Sequence, residues 1–242
     1  MGGVSVGKSR GNGRTGSGAE QSIWLRRSPA PRQEPPLTRT RIIEAAIALL
    51  DEEGMERLTM RRLAERLGVG ATTLYWHIDT KDDVVDLATD AIFAGAPLPD
   101  RHDGDWQENV VALLSECRAM LLRHPWSAAL PLRQRPSIGP NFLTWLEFLQ
   151  ATLSRAGFKA QQTQATCWLL YNHVLGSAAS QSNLQWSKAE RAAAQEQLRE
   201  QRDVYPTLVA YEYMLDEDWE DNFHVGVRLV LDGLAAQLPA AG

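Results

Sequence analysis

From Leu37 to Leu238 the apolar residues recur three and four positions apart, and no stretch alternates in the manner of a strand. A chain patterned this way buries its apolar face as helices packed on helices, because neighbours on a helix face lie three and four positions away. Thr38 caps a first predicted helix in which Ile42, Ala46, Leu49 and Leu50 share a face, and Gly54 ends it. A second, short helix starts behind Thr59, turns Leu63, Ala64 and Leu67 inward and stops at Gly68. Glycine there can take the left-handed conformation of a sharp turn. A third helix spans about Ala71 to Ile78. Thr80, with Asp83 three positions on, forms a capping box that opens a fourth helix through Val84, Leu87, Ala88 and Ala91. Pro97, Pro99 and the polar run from Asp100 to Asp105 close this first unit. Further helices are predicted over 106–123, 126–131, 139–156, 160–184, 188–201, 204–215 and 218–238, with breaks at Pro125, Pro136, Gly157 and Pro206. No fixed-period repeat points to a solenoid. The expected class is all-α: a helix-turn-helix unit over residues 37–83 and a larger helical unit over 84–242.

Residues 1–36 differ in kind. They are rich in Gly, Ser, Arg and Pro and read as a flexible arm, since so few apolar residues cannot offset the entropy of ordering. Gly2 to Ser9 matches the phosphate-loop pattern G-x-x-x-x-G-K-S, but no strand precedes the match and no helix follows it. Six basic residues (Lys8, Arg10, Arg14, Arg26, Arg27, Arg32) face Glu20 and Glu34, so the arm carries +4 in a chain of net charge −5. The acidic excess lies beyond residue 82, with twenty acidic residues against twelve basic ones. An acidic average therefore does not exclude nucleic acid, which needs only a local positive field. Cys117 and Cys167, each in an apolar helical stretch, read as buried free thiols in a reducing cytoplasm. No run approaches the length of a membrane span.

The span Thr59 to Ile78 has the layout of a helix-turn-helix. Ala64 is small where two helices approach, Gly68 makes the turn, and Val69 and Leu74 lock the second helix on the first. With Leu74 inward, helical geometry sends Thr72, Thr73, Tyr75, Trp76 and His77 outward. Polar-tipped aromatic side chains on a solvent face mark binding, and they suit phosphates and thymine methyls. The alternative is that Trp76 and His77 pack against the flanking helices. Catalytic readings lack a basis: the five histidines show no metal-ligand spacing, and there is no G-x-S-x-G elbow and no converging pair of carboxylates. No cofactor or metal is expected.

Leu58-Thr59-Met60-Arg61-Arg62-Leu63-Ala64-Glu65-Arg66-Leu67-Gly68-Val69, then Thr73-Leu74-Tyr75-Trp76-His77 and Lys81, resembles the DNA-binding domain of TetR-family repressors, above all the tetracycline-responsive branch. The likeness is strong over about 40–90 and weaker beyond. It implies a homodimer on palindromic operator DNA, with Arg61 at a base edge, Thr73, Tyr75 and His77 at groove or backbone, and Lys81 at a phosphate. Thr59, Ala71, Thr72 and Trp76 complete the expected DNA-binding set. The tetracycline branch usually has Glu-Gln-Pro where this chain has Gly70-Ala71-Thr72, so a different operator is expected.

The resemblance further implies a ligand in the larger domain and a subunit interface on its last helices. Approximate alignment puts Pro97, Leu113, Pro131, Gln134 and Glu147 at most of the tetracycline-ligand positions, which supplies no oxygen cluster for a magnesium ion. The expected effector is instead a small apolar or aromatic molecule. Its candidate pocket is Trp106, Cys117, Met120, Trp126, Trp145, Phe148, Trp168, Tyr171, Asn172 and His173, with Gln181 and Asn183 as further polar handles. In the last helix Phe223, Val227, Val230 and Leu234 form one stripe, and Gly226 and Gly233 permit close approach. The stripe reads either as the dimer interface or as packing on its own chain. The rival from another class is a helical enzyme or a partner-binding adaptor that uses the helix-turn-helix for docking.

Overall fold

The computed structural model describes residues 1–2, 36–99, 105–127, 138–216 and 218–238. The chain divides into Met1–Pro36 and Leu37–Gly242. Nearly all of the basic arm, with its phosphate-loop-like match, lies outside the described residues, as do most of the predicted helix 126–131 and the positions Pro131 and Gln134.

Among the described residues there are helices and turns but no strand. The head begins with α1 (Arg39–Glu53), capped by the Thr38 hydroxyl, which accepts from the Arg41 N–H at 3.2 Å. Thr59 caps α2 (Met60–Leu67) in the same way. Gly68 follows in the left-handed region (φ 70°), and the Val69 N–H returns to the Ala64 carbonyl at 3.0 Å. This closure turns the chain sharply into α3 (Ala71–Tyr75). The third helix is shorter than its sequence suggests. The N–H groups of His77 and Ile78 both go to the Leu74 carbonyl, so Trp76 and His77 form a turn. The Thr80–Asp83 capping box then opens α4 (Lys81–Phe93), which packs on α1.

The body is built from α5 (Trp106–Arg123), α6 (Pro140–Arg155) and α7 (Ala160–Asn183), with α10 (Trp219–Ala235) against α5 and α7. Leu113, Leu114, Met120, Leu149, Leu153, Leu170 and Val174 fill the space between them. α4 reaches α5 and α6 as well as α1, so the last helix of the head is also part of the body. α8 (Lys188–Glu200) packs chiefly on α9 (Pro206–Ala210) and on a 3-10 turn at Tyr213–Leu215. The sequence predicts one helix over 204–215, and the structure breaks it. Glu212 sits at φ 48°, where the helical ladder cannot continue. The break is held from α8: Arg199 pairs with the Glu212 carboxylate at 2.9 Å, and the Gln195 side-chain oxygen accepts from the Met214 N–H.

Candidate DNA-binding site and effector core

Leu74 anchors the recognition segment. It is fully buried, and around it Ala71, Thr72, Thr73, Tyr75, Trp76 and His77 are all exposed. Trp76 is 84% exposed, so it does not pack on the flanking helices. Gly70 provides no side-chain cap for α3, and the Thr73 N–H goes to the Gly70 carbonyl at 2.9 Å instead. Arg61 is exposed at the side of α2, where its guanidinium pairs with Glu65 at 2.9 Å, and that contact raises its pKa. The hydroxyl of Thr59 is already a helix cap. Lys81 is half-buried, and its ammonium donates to the Met55 carbonyl at 2.9 Å. An ammonium has three donors, so this bond leaves capacity for a phosphate. Glu65 and Met55 as partners are absent from the sequence reading. The i,i+4 spacing of Arg61 and Glu65 is the signal for the first; nothing local signals the second.

The ten candidate pocket residues do not form one cluster. Cys117, Met120, Trp126, Trp145 and Phe148 are buried and Tyr171 is half-buried. Trp168 (66% exposed) and Asn172 point outward on α7, Trp106 is edge-on to Phe158 at 5.3 Å, and His173 stacks on Phe223 at 5.5 Å. The 3.6-residue period explains the split, since adjacent positions on one helix face different neighbours. What assembles instead is a ring cluster from three helices. Phe93 of α4 meets Phe142 and Trp145 of α6 at 5.1 and 6.0 Å, and Tyr171 of α7 meets the same two at 5.6 and 5.8 Å. Phe93 and Phe142 were not foreseen. Burial pushes the Cys117 thiol up to about 12 and raises the Tyr171 phenol, so both stay neutral donors. The Trp145 indole N–H is buried without a hydrogen-bond partner.

Two contacts tie the head to this core. Asp51 at the end of α1 accepts from the Trp126 indole at 2.8 Å and lies 2.9 Å from His124 Nδ1. Asp90 of α4 accepts from the Asn141 and Phe142 N–H groups at 2.9 and 3.0 Å, capping α6 from outside. Trp126 is thus a strut between α1 and the end of α5 as well as a buried ring.

The stripe on α10 also divides. Phe223 and Val227 are buried in their own chain, whereas Gly226, Val230 and Leu234 are half-buried. Phe223 lies between His173 and the guanidinium of Arg118, which sits 4.9 Å from its ring centre. Arg118 is buried on α5 and donates to Ser177 and Gln181 of α7 and to Glu220 and the Trp219 carbonyl of α10. Burial pushes the Glu220 carboxyl up, but hydrogen bonds from His224 and Arg118 outweigh it and hold it low. The apolar residues left exposed on these helices are others: Trp168 and Leu169 on α7, Val225 and Leu229 on α10.

The head and the body both match family models. Residues 42–88 match "Bacterial regulatory proteins, tetR family" and residues 98–238 match "Tetracyclin repressor-like, C-terminal domain". An HTH-type transcriptional regulator of Saccharopolyspora erythraea is 40% identical over 224 residues, covering 92% of this chain and 94% of its own. The chain belongs to the TetR family of transcriptional regulators. The repressor DrrR1 of Streptomyces coeruleorubidus is 31% identical over 86% of this chain and 81% of its own length. Among solved structures, ActR of Streptomyces coelicolor in complex with actinorhodin is 28% identical, with a TM-score of 0.75 over 86% of this chain and all of that one. This regulator is therefore an all-helical DNA-binding protein and not an enzyme, which removes the enzymatic rival. Among the described residues no helix is long and apolar enough to cross a membrane.

Proposed function

We propose that this TetR-family regulator acts in the cytoplasm as a homodimeric repressor of a palindromic operator and leaves it when an aromatic effector binds. The observation that carries the DNA reading is the exposed Thr72–Thr73–Tyr75–Trp76–His77 face on a fully buried Leu74. A rigid support under polar-tipped side chains suits a major groove, where phosphate contacts position and base edges specify. Arg61 takes a base edge by exchanging Glu65 for it, and Lys81 holds a phosphate. The exposed apolar residues of α7 and α10 form the subunit interface, which sets two recognition helices roughly 34–36 Å apart.

The effector enters the ring cluster of Phe93, Phe142, Trp145 and Tyr171, and the unpartnered Trp145 N–H donates to it. ActR, which shares this fold, is known with actinorhodin bound. Because Phe93 belongs to α4, a ligand wedged there moves the helix that carries the head. It releases DNA only by binding the released state more tightly. Of the positions aligned with a tetracycline site, Pro97 and Glu147 are exposed and Leu113 is buried, while Pro131 and Gln134 lie outside the described residues; this supports an effector other than tetracycline. The basic arm adds affinity without specificity by contacting phosphate. Titrating full-length protein and a variant lacking residues 2–36 against operator and scrambled DNA at two salt concentrations tests this. The expected result is selective, salt-dependent binding by both proteins, weaker for the shortened one at low salt and converging at high salt.

A further inference from the structure

Away from the ring cluster, a cavity of about 370 Å³ opens between the end of α7, α8, the 3-10 turn and the first turn of α10. Trp186, Tyr213 and Trp219 line it, and Asp216 and Asp218 stand among them. Both tryptophan and tyrosine present ring surface that a globular chain ordinarily covers: Trp186 is half exposed and Tyr213 is 62% exposed. The carboxylates are held in place. Asp216 accepts from the Asp218 N–H at 3.1 Å and from the Asn222 amide at 2.7 Å, while Asp218 accepts from the Asp221 N–H as the cap of α10. One opposite charge lines the cavity, Arg191, which donates to the Asp216 carbonyl at 3.3 Å. Among the described residues, two carboxylates stand against one guanidinium, a negative balance.

Electron-rich ring faces beside fixed carboxylates attract a cation whose bulk is apolar, and cages of aromatic rings recognise quaternary ammonium groups on this basis. The volume suits a ligand of drug-like size. We propose that this cavity is a second ligand site of the regulator, selective for organic cations: protonated or quaternary amines carrying an apolar body. At the ring cluster between α4, α6 and α7, by contrast, the Asp90 carboxylate is taken up by the N–H groups of Asn141 and Phe142 and by the Asn141 amide. A cation at Trp219 also touches the turn whose carbonyl accepts from the buried Arg118, so the site adjoins the anchor that joins α5, α7 and α10.

Calorimetric titration of the full-length protein with benzyltrimethylammonium, benzyl alcohol and benzoate tests the proposal. The cation is expected to bind at least tenfold more tightly than either comparison compound. Asp218→Asn keeps an equally good helix cap, whereas Asp216→Asn keeps the side-chain shape and only one of its two accepted hydrogen bonds. The double variant is expected to weaken the cation tenfold or more, with the parent's operator affinity as the check that it is folded. Asp218→Asn alone is expected to weaken it severalfold at unchanged melting temperature. Trp186→Ala, at a half-exposed position, is expected to weaken it severalfold. Equal binding of benzyl alcohol, or full affinity in the charge-neutral double variant, would overturn the assignment. Operator affinity measured on the same proteins stays as in the parent if the site is distinct from the DNA reading.

Discussion

Two exposed surfaces of this regulator are made of different material. The recognition turn shows solvent a run of threonine, tyrosine, tryptophan and histidine on one buried leucine. The outer faces of α7 and α10 show Trp168, Leu169, Val225 and Leu229 instead, with Arg118 and the Phe223–His173 stack beneath. A surface with hydrogen-bonding tips is stable in water and can trade its waters for phosphates and bases. An apolar patch gains little from water and gains free energy when a second copy covers it. Exposure alone does not identify a partner; the chemistry at the tips does.

The comparison breaks most readily at the apolar face. Leu169→Glu with Leu229→Glu places charge in the proposed interface while both positions stay solvent-exposed in the single chain. The double variant should run as a monomer in light scattering. Its operator affinity should fall on the order of 100-fold, because linked half-site binding is lost. A dimer that persists would move the interface elsewhere. Tyr75→Ala acts on the polar face and should cost about 1–3 kcal/mol of operator binding. Its melting temperature should hold, since Tyr75 is half exposed and only Leu74 supports the turn. If DNA binding is unchanged, the face is not a DNA contact.

Smaller effects sharpen the polar side. Lys81→Ala should weaken all DNA sequences alike and lower the slope of affinity against salt by about one. A shift in base preference at one position would instead make Lys81 a reader. Glu65→Gln removes the ion-pair partner of Arg61 and one negative charge beside the phosphates. A gain of roughly twofold to fivefold in operator affinity at low salt is expected, fading as screening grows. A loss would mean that Glu65 positions Arg61 for the groove.

The helix-turn-helix was legible because its rules are local. Thr59, Gly68 and the Thr80–Asp83 box act within a few residues, and the structure shows each of them in place. The body was legible as helices but not as sites. Phase along α7 separates Trp168, which is exposed, from Tyr171, which joins the ring cluster. Composition sees both only as aromatic residues in one helix. On α10 the sequence shows an apolar stripe without showing what covers it, which leaves interface and own-chain packing open, and Phe223 and Val227 are buried in their own chain. Arg118 left a trace, a lone charge between Cys117 and Met120, but its four partners lie more than fifty residues away. Asp51, Asp90 and Phe93 left none, since their roles exist only once the head and body meet.

The central claim is that the polar face reads DNA as one of a pair. Fluorescence anisotropy with labelled duplexes from the regulator's own upstream region, titrated at several salt concentrations and at known protomer stoichiometry, addresses it directly. Saturation is expected at two protomers per site, with at least a thousandfold preference over scrambled duplex and a steep loss of affinity with salt. Equal affinity for scrambled duplex, or saturation by a single protomer, would contradict it.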